Sequence, residues 1–146
     1  MTRPISPPPL DSFESTWHRA TLGVVSDVLV ERATMLSRWG DPSYPSVAGL
    51  SYSVEARVGL YDLPTPEKAR AETEGLRGSG DLDWATISVQ SLSDAVSASD
   101  ETARRIEVVQ LAAVALAWVE DIDRQRRAAE AAKATSPKTE RGEGRG

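Results

Sequence analysis

The chain has 146 residues, a formal net charge of −5 and no cysteine, so disulfides, thiolate metal sites and a cysteine nucleophile are excluded together. Residues 124–146 hold seven basic and three acidic side chains, which leaves ten basic against nineteen acidic in residues 1–123; an acidic body argues against nucleic-acid binding through the folded domain. The longest apolar run, Leu111 to Val119, is too short to cross a bilayer and no signal-peptide core precedes it, so a cytoplasmic protein with no membrane partner is expected.

Residues 1–10 carry Pro4, Pro7, Pro8 and Pro9 and read as an extended lead-in. Asp11-Ser12-Phe13-Glu14 resembles a capping box, and Phe13, Trp17, Ala20, Val24, Val28 and Met35 follow at helical spacing. One long helix to about Arg38 is expected, with a bend allowed at Gly23. Gly40-Asp41-Pro42 ends it, because glycine suits the C-terminal position and proline cannot continue the ladder.

Residues 40–64 form a loop-rich insert, broken by Pro42, Pro45, Gly49, Gly59 and Pro64. A lone strand there would have no partner, so a loop or a short helix is predicted. Thr65-Pro66-Glu67 is a helix start built from a capping hydroxyl, a first-turn proline and an acid. That helix stops at Gly78-Ser79-Gly80, and its weakly apolar face predicts a surface position.

Asp83 caps the next helix, in which Ala85, Val89, Leu92 and Val96 form the predicted buried stripe. Ser99 or Asp100 caps the last one. Its Val108–Val119 segment is apolar nearly all round, which predicts a helix at the centre of a core. Residues 128–146 read as a disordered basic tail. The prediction is an all-α domain over 11–127, a small helical bundle of three to four main helices completed by dimerisation, because so small a core gains from a second copy.

Two sets of polar residues stand out in the last two helices. Gln90, Ser91 and Asp94 fall within one turn, and Glu107 and Gln110 form a second pair. In antiparallel helices the sets could converge. Glu107 could equally pair with Arg104 or Arg105 in its own helix, and Gln110 should find a buried partner or line a polar cleft. Trp39, Trp84 and Trp118 are expected in the core before any role in base stacking.

Four segments carry a resemblance: Glu31-Arg32 with Arg38-Trp39-Gly40-Asp41, Leu63-Pro64-Thr65, Asp83-Trp84-Ala85-Thr86-Ile87, and Val109-Gln110-Leu111 through Ala117-Trp118-Val119-Glu120. Over about residues 25–124 the chain resembles MazG-like proteins of the all-α nucleoside triphosphate pyrophosphohydrolases. The resemblance implies a Mg²⁺ cofactor held by acidic side chains on two adjacent helices, with release of pyrophosphate from a nucleotide. It puts the metal ligands on Gln90, Asp94, Glu107 and Gln110, with Asp94 and Glu107 catalytic. Arg104, Arg105 and Trp39 would then contact the substrate.

The family's E-E-x-x-E motif falls on Gln90, Ser91 and Asp94, where two carboxylates are replaced and the third is shortened. Met35 and Tyr44 stand where many relatives carry Gln and His. Mg²⁺ wants hard anionic oxygens, and neutral amides lack the Coulombic attraction. The expectation is therefore a homodimer that binds a nucleotide or a protein partner with little or no turnover. The alternatives are an active Mg²⁺-dependent pyrophosphohydrolase and a plain helical adaptor.

Overall fold

The computed structural model describes residues 16–40 and 43–136. Among them five helices form and no strand: α1 (Thr16–Trp39), α2 (Val54–Gly59), α3 (Pro66–Ser79), α4 (Trp84–Ser97) and α5 (Glu101–Thr135). The protein is a small all-α assembly, as its patterning predicted. The capping box at residues 11–14, the residues Asp41 and Pro42, and the lead-in at 1–10 lie outside the described residues.

Side-chain caps set most helix starts. The Thr65, Asp83 and Asp100 oxygens accept from the amides of Lys68, Thr86 and Ala103, which satisfies donors that a helix start leaves orphaned. The amide of Thr86 also holds the Asp83 carboxyl below its ordinary value. Between Gly40 and Thr65 the only helix among the described residues is α2, capped by Ser53. α3 ends on Gly80 at φ 82°, whose N–H reaches the Arg77 and Leu76 carbonyls, a left-handed position suited to glycine. α1 passes Gly23 without interruption.

The helices pack as a row. α3 lies on α4, α4 on α5, and α5 on α1, while α2 covers part of α4. A row has two broad faces, and much of the apolar surface remains on them. Among the described residues the buried apolar side chains are few and small: Val24, Val47, Val58, Ala69, Ala95 and Val96, with Leu63 packed against the Val47–Val58–Val96 cluster. α3 lies on the surface as its weakly apolar face predicted, with only Ala69 and Thr73 buried where it meets α4.

Two predicted burials are corrected. On α4 the buried residues are Ser93, Ala95 and Val96, whereas Ala85, Val89 and Leu92 are exposed. Val96 lies on the same stripe and is covered by Val47 and Val58, while the rest of that stripe stays open. The Val108–Val119 segment of α5 is not enclosed either. α4 and α1 contact α5, yet Val108 is 48% and Val109 53% exposed. α5 runs on to Thr135, so the tail is helical as far as it is described.

Two buried arginines hold the end of α4. The Arg57 guanidinium donates to five carbonyls, those of Gly49, Leu50, Tyr52, Val96 and Ala98. Five donors meet five acceptors, so the group is fully satisfied without a carboxylate. Arg104 donates from all three nitrogens, to the Ala95 and Ala98 carbonyls and to Glu101. Gly49 serves this junction at φ +69°, where an added Cβ would lie 2.7 Å from the Tyr52 ring.

Ser93 is fully buried and its hydroxyl has no partner. A buried hydroxyl without a hydrogen bond costs about 1–3 kcal/mol. Ser93→Ala is therefore expected to stabilise the protein by ~1 kcal/mol, read as a higher urea midpoint at unchanged slope.

Candidate functional site

The α4–α5 hairpin sets the height of the candidate residues. At one end Trp84 Nε1 donates to Asp121 Oδ2 at 2.9 Å. At the other Arg104 Nε donates to the Ala95 carbonyl at 3.0 Å. These contacts make the helices antiparallel and put Asp94 and Glu107 at similar heights. Glu107 also shares a half-buried stripe of α5 with Ala103, Leu111 and Val114, spaced as one helical face.

Asp94 keeps 20% of its side-chain exposure and faces a cation from α3: Arg70 Nη2 lies 4.0 Å from its Oδ1. Burial pushes its carboxyl above the ordinary value of 3.8, while Arg70 and a hydrogen bond from Gln90 pull it back down in part. Ser91 donates its hydroxyl to the Ile87 carbonyl at 3.1 Å. Glu107 makes no hydrogen bond or ion pair among the described residues, so the pairing with Arg104 or Arg105 is not formed. Gln110 is exposed and so is not a buried bridge.

The Asp94 shift gives a pH prediction. A folded-state pKa raised above 3.8 favours the folded chain below that value, and this contribution is lost as pH rises through the folded pKa. Asp83 and Asp121 are lowered, Asp121 chiefly by the Trp84 hydrogen bond. Their contributions stand above 3.8 and are lost as pH falls through their folded values. Carboxyl NMR titration should place the Asp94 midpoint above 3.8, and Arg70→Ala should raise it further. A midpoint indifferent to that substitution would show that the carboxylate does not feel the guanidinium.

The other candidates lie elsewhere. Arg104 is buried, with its donors committed to α4 and Glu101. Arg105 is exposed and lines a shallow cleft with Ser46, Glu101, Val108 and Val109. Trp39 is 60% exposed and therefore not core. It closes a cleft of about 240 Å³ with Arg32, Met35, Gly40 and Tyr44, and the Arg38 guanidinium carbon sits 6.0 Å from its ring centre. α1 touches α5 and no other helix, so this aromatic cleft is separate from Asp94 on α4. Trp118 is 37% exposed, and Trp84 is half-buried with its indole N–H bonded.

Among the described residues no group of three His, Cys, Asp or Glu side chains is placed to hold a metal. Asp94 has an arginine opposite it where a ligand cluster would need a second carboxylate. Arg70 is the residue that sequence reasoning missed; only the packing of α3 on α4 brings it there. No helix among the described residues is long and apolar enough to cross a membrane. In comparisons with known proteins, no family model, no curated protein and no solved structure matches the chain.

Proposed function

We propose that the chain is a MazG-like relative of the all-α nucleoside triphosphate pyrophosphohydrolases that has lost most of its Mg²⁺-binding carboxylates. On this reading it is a two-copy cytoplasmic protein that acts by binding a nucleotide or a protein partner, with little or no turnover. The supporting observation is the pairing at Asp94. A guanidinium and a neutral amide occupy its surroundings, and a cation next to a lone carboxylate opposes the approach of a dication. The aromatic cleft of Trp39 and Tyr44 offers a face on which a base can stack, with Arg32 at its edge.

One arrangement favours the active alternative. Glu107 is a carboxylate unpaired among the described residues, at the height of Asp94, as a two-helix metal site would require. Pyrophosphate release decides between them. Purified protein at high concentration, given a panel of nucleoside triphosphates with excess Mg²⁺, should release no pyrophosphate above the blank. Release that rises with Mg²⁺ and collapses in Glu107→Gln would overturn the proposal and establish the active enzyme.

A further inference from the structure

A further cleft lies between α1 and α5, apart from the Asp94 face and from the aromatic cleft of Trp39. Its volume is about 290 Å³, near the lower end of small-molecule sites. Arg19 and Asp27 line it from α1, and Glu120, Asp123 and Arg127 line it from α5. On each helix the lining residues recur every three or four positions, so each set forms one helical face. The floor is small or apolar: Ala20, Gly23 and the buried Val24. Glu120 lies ~20 Å along α5 from Glu107, so this cleft shares nothing with the candidate carboxylates.

The two helices run antiparallel here. The first half of α1 faces residues 120–127, in the second half of α5. Ser46, shortly after the end of α1, donates its hydroxyl to Glu101 at the start of α5, at 2.6 Å. Antiparallel order sets like charge opposite like. Arg19 stands at the height of Arg127, Gly23 at that of Asp123, and Asp27 at that of Glu120. One end of the cleft thus carries two guanidiniums and the other two carboxylates, ~10–12 Å apart along the helices, with Asp123 between them.

The four outer charges are unsatisfied. Among the described residues Arg19, Asp27, Glu120 and Arg127 make no hydrogen bond or ion pair. The ion pairs of this stretch, Arg124 with Asp121 and Arg126 with Asp123, lie within α5. Opposite charges in one cleft would pair if they could meet, and their separation prevents it. Two guanidiniums at one height offer planar forks to a carboxylate. An ammonium has three donors for the carboxylates at the other end. A ligand with a single charge serves one end only, and a compact zwitterion does not span the two.

We propose that this cleft binds an extended zwitterionic small molecule. Its carboxylate meets Arg19 and Arg127, its ammonium meets Asp27 and Glu120, and an aliphatic chain between them lies over Gly23 and Val24. Long arginine side chains lean inward along the apolar floor, so the ligand's charges need less separation than the backbone positions do. The site is independent of the nucleotide and metal reading.

The test is calorimetry on the full chain at low ionic strength, with ε-aminocaproate as the probe. It should bind saturably, whereas free glycine, caproate and hexylamine should each bind roughly tenfold more weakly or worse. Arg127→Gln and Glu120→Gln should each weaken ε-aminocaproate by a similar factor with helical circular dichroism retained, because Arg127 is exposed and Glu120 half-buried. Gly23→Leu leaves every charge in place and fills the cleft. A Cβ at Gly23 meets no atom within 4 Å, so the fold should accept the side chain while the probe is excluded. No binding at tens of millimolar would overturn the inference. So would hexylamine binding as well as ε-aminocaproate, which is attraction of any amine to an acidic body, or variants that bind like the wild type. Pyrophosphate release by the same preparation would overturn the proposed function and leave this result standing.

Discussion

Arg57→Ala is expected to destabilise the protein by about 3–5 kcal/mol, a large share of the ~5–15 kcal/mol that holds a domain of this kind together. Arg57 is 8% exposed and its five N–H groups serve carbonyls from the 49–52 loop and from the end of α4. Removing it leaves the Val96 carbonyl buried without a donor and takes a positive charge from the negative end of the α4 dipole. Lysine does not replace it. An ammonium has three donors at one point, whereas these acceptors are spread around a planar fork; Arg57→Lys should still cost ~2 kcal/mol or more. Urea denaturation followed by circular dichroism measures both. If Arg57→Ala unfolds at the wild-type midpoint, the guanidinium is not what joins the loop to α4.

Restoring the two missing carboxylates is the second large effect. Gln90→Glu with Ser91→Glu should raise Mg²⁺ affinity ten- to a hundredfold over the wild type, measured by calorimetry. At about 4 Å and an effective dielectric near 20, each added unit charge attracts a unit of opposite charge by ~4 kcal/mol. Repulsion from Asp94 and competition from Arg70 offset most of that, which leaves the ~1.4–2.8 kcal/mol of the expected gain. The metal-free double variant should be less stable than wild type, and Mg²⁺ should restore its melting temperature. If the substitutions leave Mg²⁺ binding unchanged, Gln90 and Ser91 do not stand on a face shared with Asp94 and Glu107. Adding Arg70→Ala should increase the gain, because the competing cation is then gone.

Most helix limits were legible because they depend on local chemistry. Asp83, Thr65 with Pro66, and the Gly78-Ser79-Gly80 stop act within one turn of their own backbone, and the structure bears them out. Burial was less legible. The α4 stripe of Ala85, Val89 and Leu92 has the right period for a core face, but period only groups residues on one side of a helix. Which residues are covered depends on neighbours: α2, α3 and α5 all contact α4, and Val47 with Val58 of α2 covers Val96 while Ala85, Val89 and Leu92 of the same stripe stay exposed.

The candidate site divides the same way. The sequence by itself determined that Gln90 and Asp94 share a face, that Glu107 lies on the following helix, and that no cysteine or histidine pair can assist them. Only the tertiary structure decided that Arg70 stands 4.0 Å from Asp94 and that Arg104 is buried at the end of α4. It also decided that Arg57, within the loop-rich 40–64 segment, points inward to five carbonyls. Periodicity and capping act over a few residues and leave their mark in the order of side chains. Charge pairing and burial act between segments far apart in the chain, and no local pattern carries them.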